Sequence, residues 1–592
     1  MMLLAVLPLL LPLAQEVPLV RGAYRGPYSQ VLLEQAFETQ RQTDAASKYQ
    51  AGAGNAVDAA PRMVDGYERW EFWFEHERLL LFRGPGEPLP SVLGEDKRYG
   101  NGANAFSADE FQKAAIPLLV DALKSSHPEL RESAAVALGR VGAFATRGLL
   151  IEAANDRIVQ VRQAALVGLG LMHDSRNVGL LAETLADRNK PMADRQFAAL
   201  GLGLSGRNEA ATFLMQQLKG DLTPEKILIG DNDLLLAMVW AAGLFPDHGF
   251  TTLFVEACQK LEGGAARDSR RLRIFLIQAL GNMGDPIAAA FLVGQSASRD
   301  FEIQRAAVQA LGRLRSPMGA IPALLTQVND SKDTETRLFS ILAIGRIGGD
   351  EAIQALKGML DGIRRHRQLH AAWGLAVGFA QSEELHKLLA SEFVSRKPIE
   401  DVLKIEGKIR RDEERLRGAF ALGLGFYGQE EDEVLLLKVI RQQGLAPDFV
   451  GYISNGLGLL DGLAATEHLF ALANRNKLPA EAQRGVAWGL GFCTHPLAGE
   501  QLVGLISRAN DAEVRWAAAH ALSEVRTKKA LDALVTLLAD VGEPEVDSSR
   551  YSHFIMALGH LGDTRNGDGI GALLAGLNYR LDFPLLRAVR AF

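Results

Sequence analysis

One hydrophobic phrase organises most of this chain: an Arg, a run of Ala-rich apolar residues, then Leu-Gly eight positions on. Its clearest copies run from Arg131 to Gly139, Arg162 to Gly170, Arg195 to Gly203, Arg273 to Gly281, Arg337 to Gly345 and Arg417 to Gly425. Taking the closing residue as an anchor, the series is Gly139, Gly170, Gly203, Gly243, Gly281, Gly312, Gly345, Gly378, Gly425, Gly458, Gly491, Ser523 and Gly559. Most neighbouring anchors lie 31 to 33 residues apart. A period of that length is one helical hairpin per unit, and hairpins bury their apolar sides by stacking on one another. The pattern predicts an all-α solenoid of about thirteen hairpins over 107–592. The first helix of each pair is clearest in Phe111–Lys124, Val178–Ala186, Ile287–Gly294, Ala320–Val328 and Lys529–Ala539, and the second carries the anchor.

Within the second helix the residue types are ordered by position. Two residues before the anchor stands Ala or Gly in every copy, from Ala137 and Gly168 to Ala521 and Ala557. Gly costs about 1 kcal/mol against Ala inside a helix, so propensity does not select it there. The position is expected where neighbouring helices touch. The residue just before the anchor is Leu in ten copies, the core knob. The Arg that opens the helix usually follows an Asp, as in Asp156 before Arg162, Asp300 before Arg305, Asp330 before Arg337 and Asp511 before Arg515. Such an Asp caps its helix and can accept from the Arg one unit away, tying units into register.

A third stripe, seven and three residues before the anchor and one after it, shares a helical face and varies in chemistry. It is expected to line the solvent-facing concave surface. Trp240, Phe379, Phe426, Trp488 and Phe492 then form two apolar patches beside a polar, basic centre at Gln278, Asn282, Arg305, Gln309 and Arg313. Aromatic and Arg side chains at the middle of a concave surface suit recognition of a protein or peptide. Tight curvature that buries the stripe is the competing expectation.

Phrases such as Val514-Arg515-Trp516-Ala517-Ala518-Ala519-His520-Ala521-Leu522 and Ala134-Ala135-Val136-Ala137-Leu138-Gly139-Arg140-Val141-Gly142 resemble HEAT repeats, nearest the bacterial subtype shared with phycobilin lyases. The segment around Trp70 and Trp73 is similar to that of exported bacterial HEAT-repeat proteins of unassigned role. The resemblance implies an armadillo-like helical scaffold that binds protein. Among enzymatic relatives, deoxyhypusine hydroxylases place His-Glu pairs at the start of second helices; here Glu132, Gln163, Gln196, Ile274, Leu338 and Trp516 follow the Arg, and the His76-Glu77 pair stands before the repeats. HEAT-like alkylpurine DNA glycosylases need a basic groove, which this chain does not supply. His366 and His370 share a helical spacing but lack an evident third ligand, so no metal or other cofactor is expected. A phycobilin-lyase-like or metal-dependent enzyme on the same scaffold is the alternative to a non-catalytic one.

Composition narrows the setting. Charged residues make up 23% and hydrophobic ones 48%, as in a folded globular chain. The formal net charge of −7 argues against a protein that reads a nucleic-acid backbone. Cys258 and Cys493, the two cysteines, lie about six units apart and read as small buried hydrophobes. Met1–Ala14 is nearly all apolar and reads as a secretory signal, placing the protein in the periplasm or outside the cell with no further membrane contact. Residues 15–106 form an N-terminal extension whose Trp70-Glu71-Phe72-Trp73-Phe74-Glu75-His76-Glu77 segment predicts a helix capping the first repeat. Longer intervals before Gly243, Gly281 and Gly425 mark insertions, and the last, with Ser395-Arg396-Lys397-Pro398 and the charged run from Lys408 to Arg417, is expected to project as an extended helix or a loop. No polar closing helix follows Leu585–Ala591, so an apolar C-terminal edge is expected to be available for self-association.

Overall fold

A computed structural model describes residues 106–222, 232–262, 267–314, 319–395, 408–475, 477–522, 525, 527–540 and 548–563. Among these residues the chain forms twenty-six α-helices and no strand, arranged as thirteen hairpins. The helices that carry the anchors span Pro128–Val141, Val159–Leu171, Met192–Ser205, Asn232–Ala242, Arg267–Met283, Phe301–Arg313, Thr334–Ile347, Arg367–Ala380, Lys408–Tyr427, Pro447–Leu460, Ala480–Phe492, Ala512–Ala521 and Ser548–Leu561. Each packs on the anchor helix before it and after it, while the first helices of the hairpins lie outside and meet one another more sparsely.

The stacking follows from the small residues. Each anchor glycine faces the small residue, two positions before the anchor, of the next hairpin. A Cβ added at Gly243 would lie 2.8 Å from Cβ of Ala279, at Gly312 2.8 Å from Cβ of Ala343, and at Gly425 2.8 Å from Cα of Gly456. Real side chains do not approach so closely, so the glycine is what lets these backbones touch. The Leu before the anchor points the other way, into the first helix of its own hairpin, and Leu138, Leu169, Leu202, Leu311 and Leu490 are fully buried.

The solenoid closes on itself. Ser548–Leu561 of the last hairpin packs on Pro128–Val141 of the first, and a Cβ at Gly559 would lie 2.7 Å from Cα of Ala137. The seam therefore repeats the contact that joins every other pair of units. Arg140 Nη1 lies 3.1 Å from Asp563 Oδ2 in a buried ion pair, and Lys528 Nζ donates to Glu110 Oε1 at 2.6 Å on the outside. The last described hairpin thus has a neighbour on both sides, because curvature brings it round to the first, and the C-terminal edge expected beyond Leu585 falls outside the described residues. Met1–Ala14, the Trp70–Glu77 segment, Arg396–Pro398, Ser523, Glu524 and Leu585–Ala591 lie outside the described residues.

Local signals set the helix ends. Ser107 and Glu110 form a reciprocal capping box at the first described helix, Ala108–Leu123. Three residues past the anchor the backbone turns left-handed, at Gly142 with φ 66° and Gly206 with φ 60°. Gln381 and Asp461 adopt the same conformation without being glycine, each with a compensating bond to the next hairpin. Gln381 Nε2 donates to Phe426 O at 2.8 Å, and Asp461 Oδ1 accepts from Thr494 N at 2.8 Å. The charged run from Lys408 to Arg417 is the first half of the long helix Lys408–Tyr427 rather than a loop.

Candidate functional site

With the anchor and its small partner directed at the two ring neighbours and the Leu knob directed outward, the remaining face of each inner helix turns toward the ring axis. That face carries the stripe expected from the sequence. Its exposure differs from the expectation. Trp488 is 1% exposed and Trp240 9%, so neither forms an open wall. Trp488 meets Trp516 edge to face, with ring centroids 5.9 Å apart, because backbone-close helices carry large axial side chains over one another. Arg305 is also reassigned. Its guanidinium Nε lies 2.7 Å from Asp333 Oδ2 and its Nη1 2.7 Å from Glu335 Oε2, both at the start of the next inner helix.

Arg305 is one rung of a ladder. Arg131 Nε donates to Asp156 at 2.8 Å, Arg162 Nε to Asp194 at 2.8 Å, and Arg270 Nε lies 2.7 Å from Asp300. Arg131 also donates to Ser125 O and Ser126 O, Arg162 to Asp156 O, and Arg515 to Ala509 O and Asn510 O. One guanidinium thus occupies carbonyls in the turn before its own helix and, where an acid follows, a cap in the next unit. The capping acid in the seventh hairpin is Asp333, not the expected Asp330: Asp333 accepts from Thr336 N at 2.8 Å. Burial alone would push its carboxyl up, but hydrogen bonds from Arg305 and Thr336 and the Arg305 charge outweigh burial and hold it below the usual range.

The rest of the stripe stays half-buried: Gln278, Asn282, Gln309, Arg313, Phe379, Phe426 and Phe492. The residues one past the anchor pair along the ring. Arg313 Nη1 donates to Asn282 Oδ1 at 2.9 Å, and Phe379 stands 4.8 Å from Phe426 between ring centroids. The structure therefore brings the polar centre and one apolar patch together along an arc, through hairpins five to nine.

Buried ionisable groups elsewhere belong to packing. His370 is buried against Trp373 and edge-on to Phe420, with Nε2 3.4 Å from Glu392 Oε2, while its proposed spacing partner His366 stands at the helix start. Among the described residues no three His, Cys, Asp or Glu side chains gather as a metal site would need. Cys258 and Cys493 are free and buried; burial pushes both thiols up, that of Cys493 to about 12. No described helix is long and apolar enough to cross a membrane. The residues that sequence reasoning missed are the seam set, Glu110, Arg140, Lys528 and Asp563, and the left-handed Gln381 and Asp461. The period showed where each unit ends, and nothing in it shows that the last unit meets the first.

Residues 294–376 and 466–552 match the family model described as HEAT repeats. Those two stretches are HEAT repeats. Similar solved structures include human deoxyhypusine hydroxylase in complex with glycerol, at 17% identity over 60% of this chain and 98% of that one with a TM-score of 0.21. The complex of CpcE and CpcF of phycocyanin lyase from Nostoc sp. PCC7120 is 20% identical over 46% of this chain and 99% of that one, TM-score 0.28. Importin beta in a polyethylene glycol condition is 11% identical over 78% of this chain and 66% of that one, TM-score 0.35. A search of curated proteins finds no match to the chain.

Proposed function

We propose that this ring is a non-catalytic scaffold whose axial arc holds a segment of a protein partner. The observation that supports it is the half-buried stripe of Gln278, Asn282, Gln309, Arg313, Phe379 and Phe426, in which polar and aromatic side chains follow one another along touching helices. At the anchor, and two residues before it, the same helices carry the uniform small residues that join neighbouring hairpins. Varied chemistry on a uniform repeat is what a recognition surface needs, since aromatic and Arg anchors carry most binding energy. The proposed setting is outside the inner membrane, on the strength of the apolar Met1–Ala14 stretch.

Affinity capture with the full chain and with its Arg313→Glu/Phe426→Ala variant tests the reading. A partner retained by the former and lost by the latter, with circular dichroism unchanged, is the expected result. A bound chromophore, a stoichiometric metal or turnover in the purified protein would overturn it in favour of an enzyme on the same scaffold.

A further inference from the structure

Every joint of the ring is made by two unlike faces. A hairpin offers its anchor to the hairpin after it and its small residue to the hairpin before it. A Cβ at Gly281 would lie 2.6 Å from Cα of Ala310, and one at Gly491 2.8 Å from Cβ of Ala521. Interfaces of this head-to-tail kind repeat until a rotation closes them. Here the last anchor, Gly559, meets Ala137 of the first hairpin. The seam also has side-chain partners of its own. Arg140 pairs with Asp563 in a buried site, the ring of Phe111 lies where a Cβ on Gly562 would come, and Lys528 donates to Glu110 outside.

The other twelve joints lie between hairpins that follow one another in the chain, so parting one of them leaves its two faces tethered. The seam instead joins the two ends of the described stack. Parting it frees a Gly559 face and an Ala137 face, and two parted molecules hold all that is needed to close on each other. In such a pair the last hairpin of each chain docks on the first hairpin of the other. Both seams are remade with the same contacts, and no face is left over. Against the pair stands the high effective concentration that one chain gives its own two ends. In its favour stands relief of curvature. Spread over two chains, the bend at each joint falls from about 28° to about 14°, a change inside the roughly 15–20° scatter of helix packing angles.

We propose that the seam is exchangeable between molecules. At high concentration the face around Gly559 and Asp563 docks on the face around Ala137 and Arg140 of a second copy, and two chains close into one larger ring. This pairing is independent of what the axial arc binds.

The test needs no substitution at the seam. Light and heavy-nitrogen chains, purified separately, are mixed at high concentration and treated with a carbodiimide, which joins the Lys528 amine to the Glu110 carboxyl where the two touch. The linked peptide should appear in a mixed-isotope form that approaches half of the total as concentration rises and falls when the mixture is diluted before coupling. Light scattering should give twice the chain mass under the same conditions. Linked peptides that stay wholly light or wholly heavy at every concentration, with the mass of one chain, would overturn the exchange. A second measurement repeats the mixing with Gly559→Val, which sets a side chain against Ala137. The mixed peptide should be lost at unchanged helicity; one that survives would come from rings touching by their outsides, and the exchange would be wrong. Masses beyond two chains would mean an open head-to-tail filament, and the closed pair would fall.

Discussion

Two residues of no side-chain chemistry carry the architecture. At Gly312 and at Ala343 across from it, the distance that matters is between backbones, and any Cβ added at Gly312 must displace a helix. Gly312→Val should destabilise the ring by about 1–3 kcal/mol, read as a shift in urea midpoint, whereas Val at the exposed Gly179, where an added Cβ meets nothing, should cost only its helix propensity. The same scale decides Trp488. With 1% of its surface exposed it is a packed side chain, and Trp488→Ala should cost about 3–5 kcal/mol. A variant that melts with the wild type would return Trp488 to the surface. The alternation of tiny and large residues was legible in sequence because each repeat states it again. The exposure of Trp488 was not, because a helical wheel gives a direction and says nothing of what lies along it.

Between elements, the Arg ladder converts a local capping preference into register. Arg305 joins the cap of the next inner helix, so sliding one hairpin past its neighbour breaks an ion pair as well as a backbone fit. Replacing Arg305 by Met should cost about 2 kcal/mol near neutral pH. The pH dependence has a definite sign. The Asp333 carboxyl is held below its ordinary value in the fold, so its contribution is complete above the ordinary carboxylate range and is lost as pH falls from that range down through the lower value it has in the fold. Arg305→Met should therefore flatten the acid limb of a stability profile, and an acid limb as steep as wild type would reject the rung. The sequence showed an Asp before most of these Arg residues. Which Asp accepts, Asp333 over Asp330, depended on where the turn ended, and turn boundaries are the least repetitive part of each unit.

At the scale of the whole molecule, closure replaces two free ends by one seam with no chain crossing it among the described residues. Its buried pair should matter and its exposed pair should not. Asp563→Leu leaves Arg140 in a buried site without this partner, a change of about 3–5 kcal/mol, and should raise amide exchange in Pro128–Val141 and Ser548–Leu561 before any other inner helix. Exchange rising evenly round the ring would show that the seam is no weaker than the other joints. Glu110→Gln should leave the melting point unchanged at physiological salt, although Lys528 and Ser107 hold the Glu110 carboxyl down at about 2, because both partners stand in water. By itself the sequence determined the repeat, the helical hairpin, the small-residue contact and the identity of the axial stripe, since each follows from short-range periodicity copied thirteen times. Only the tertiary structure decided that the stack is a ring and that Trp240 and Trp488 of its axial stripe are buried. Curvature accumulates from a small rotation at every joint, and the position of the last hairpin relative to the first is the sum of all of them, which no single period contains.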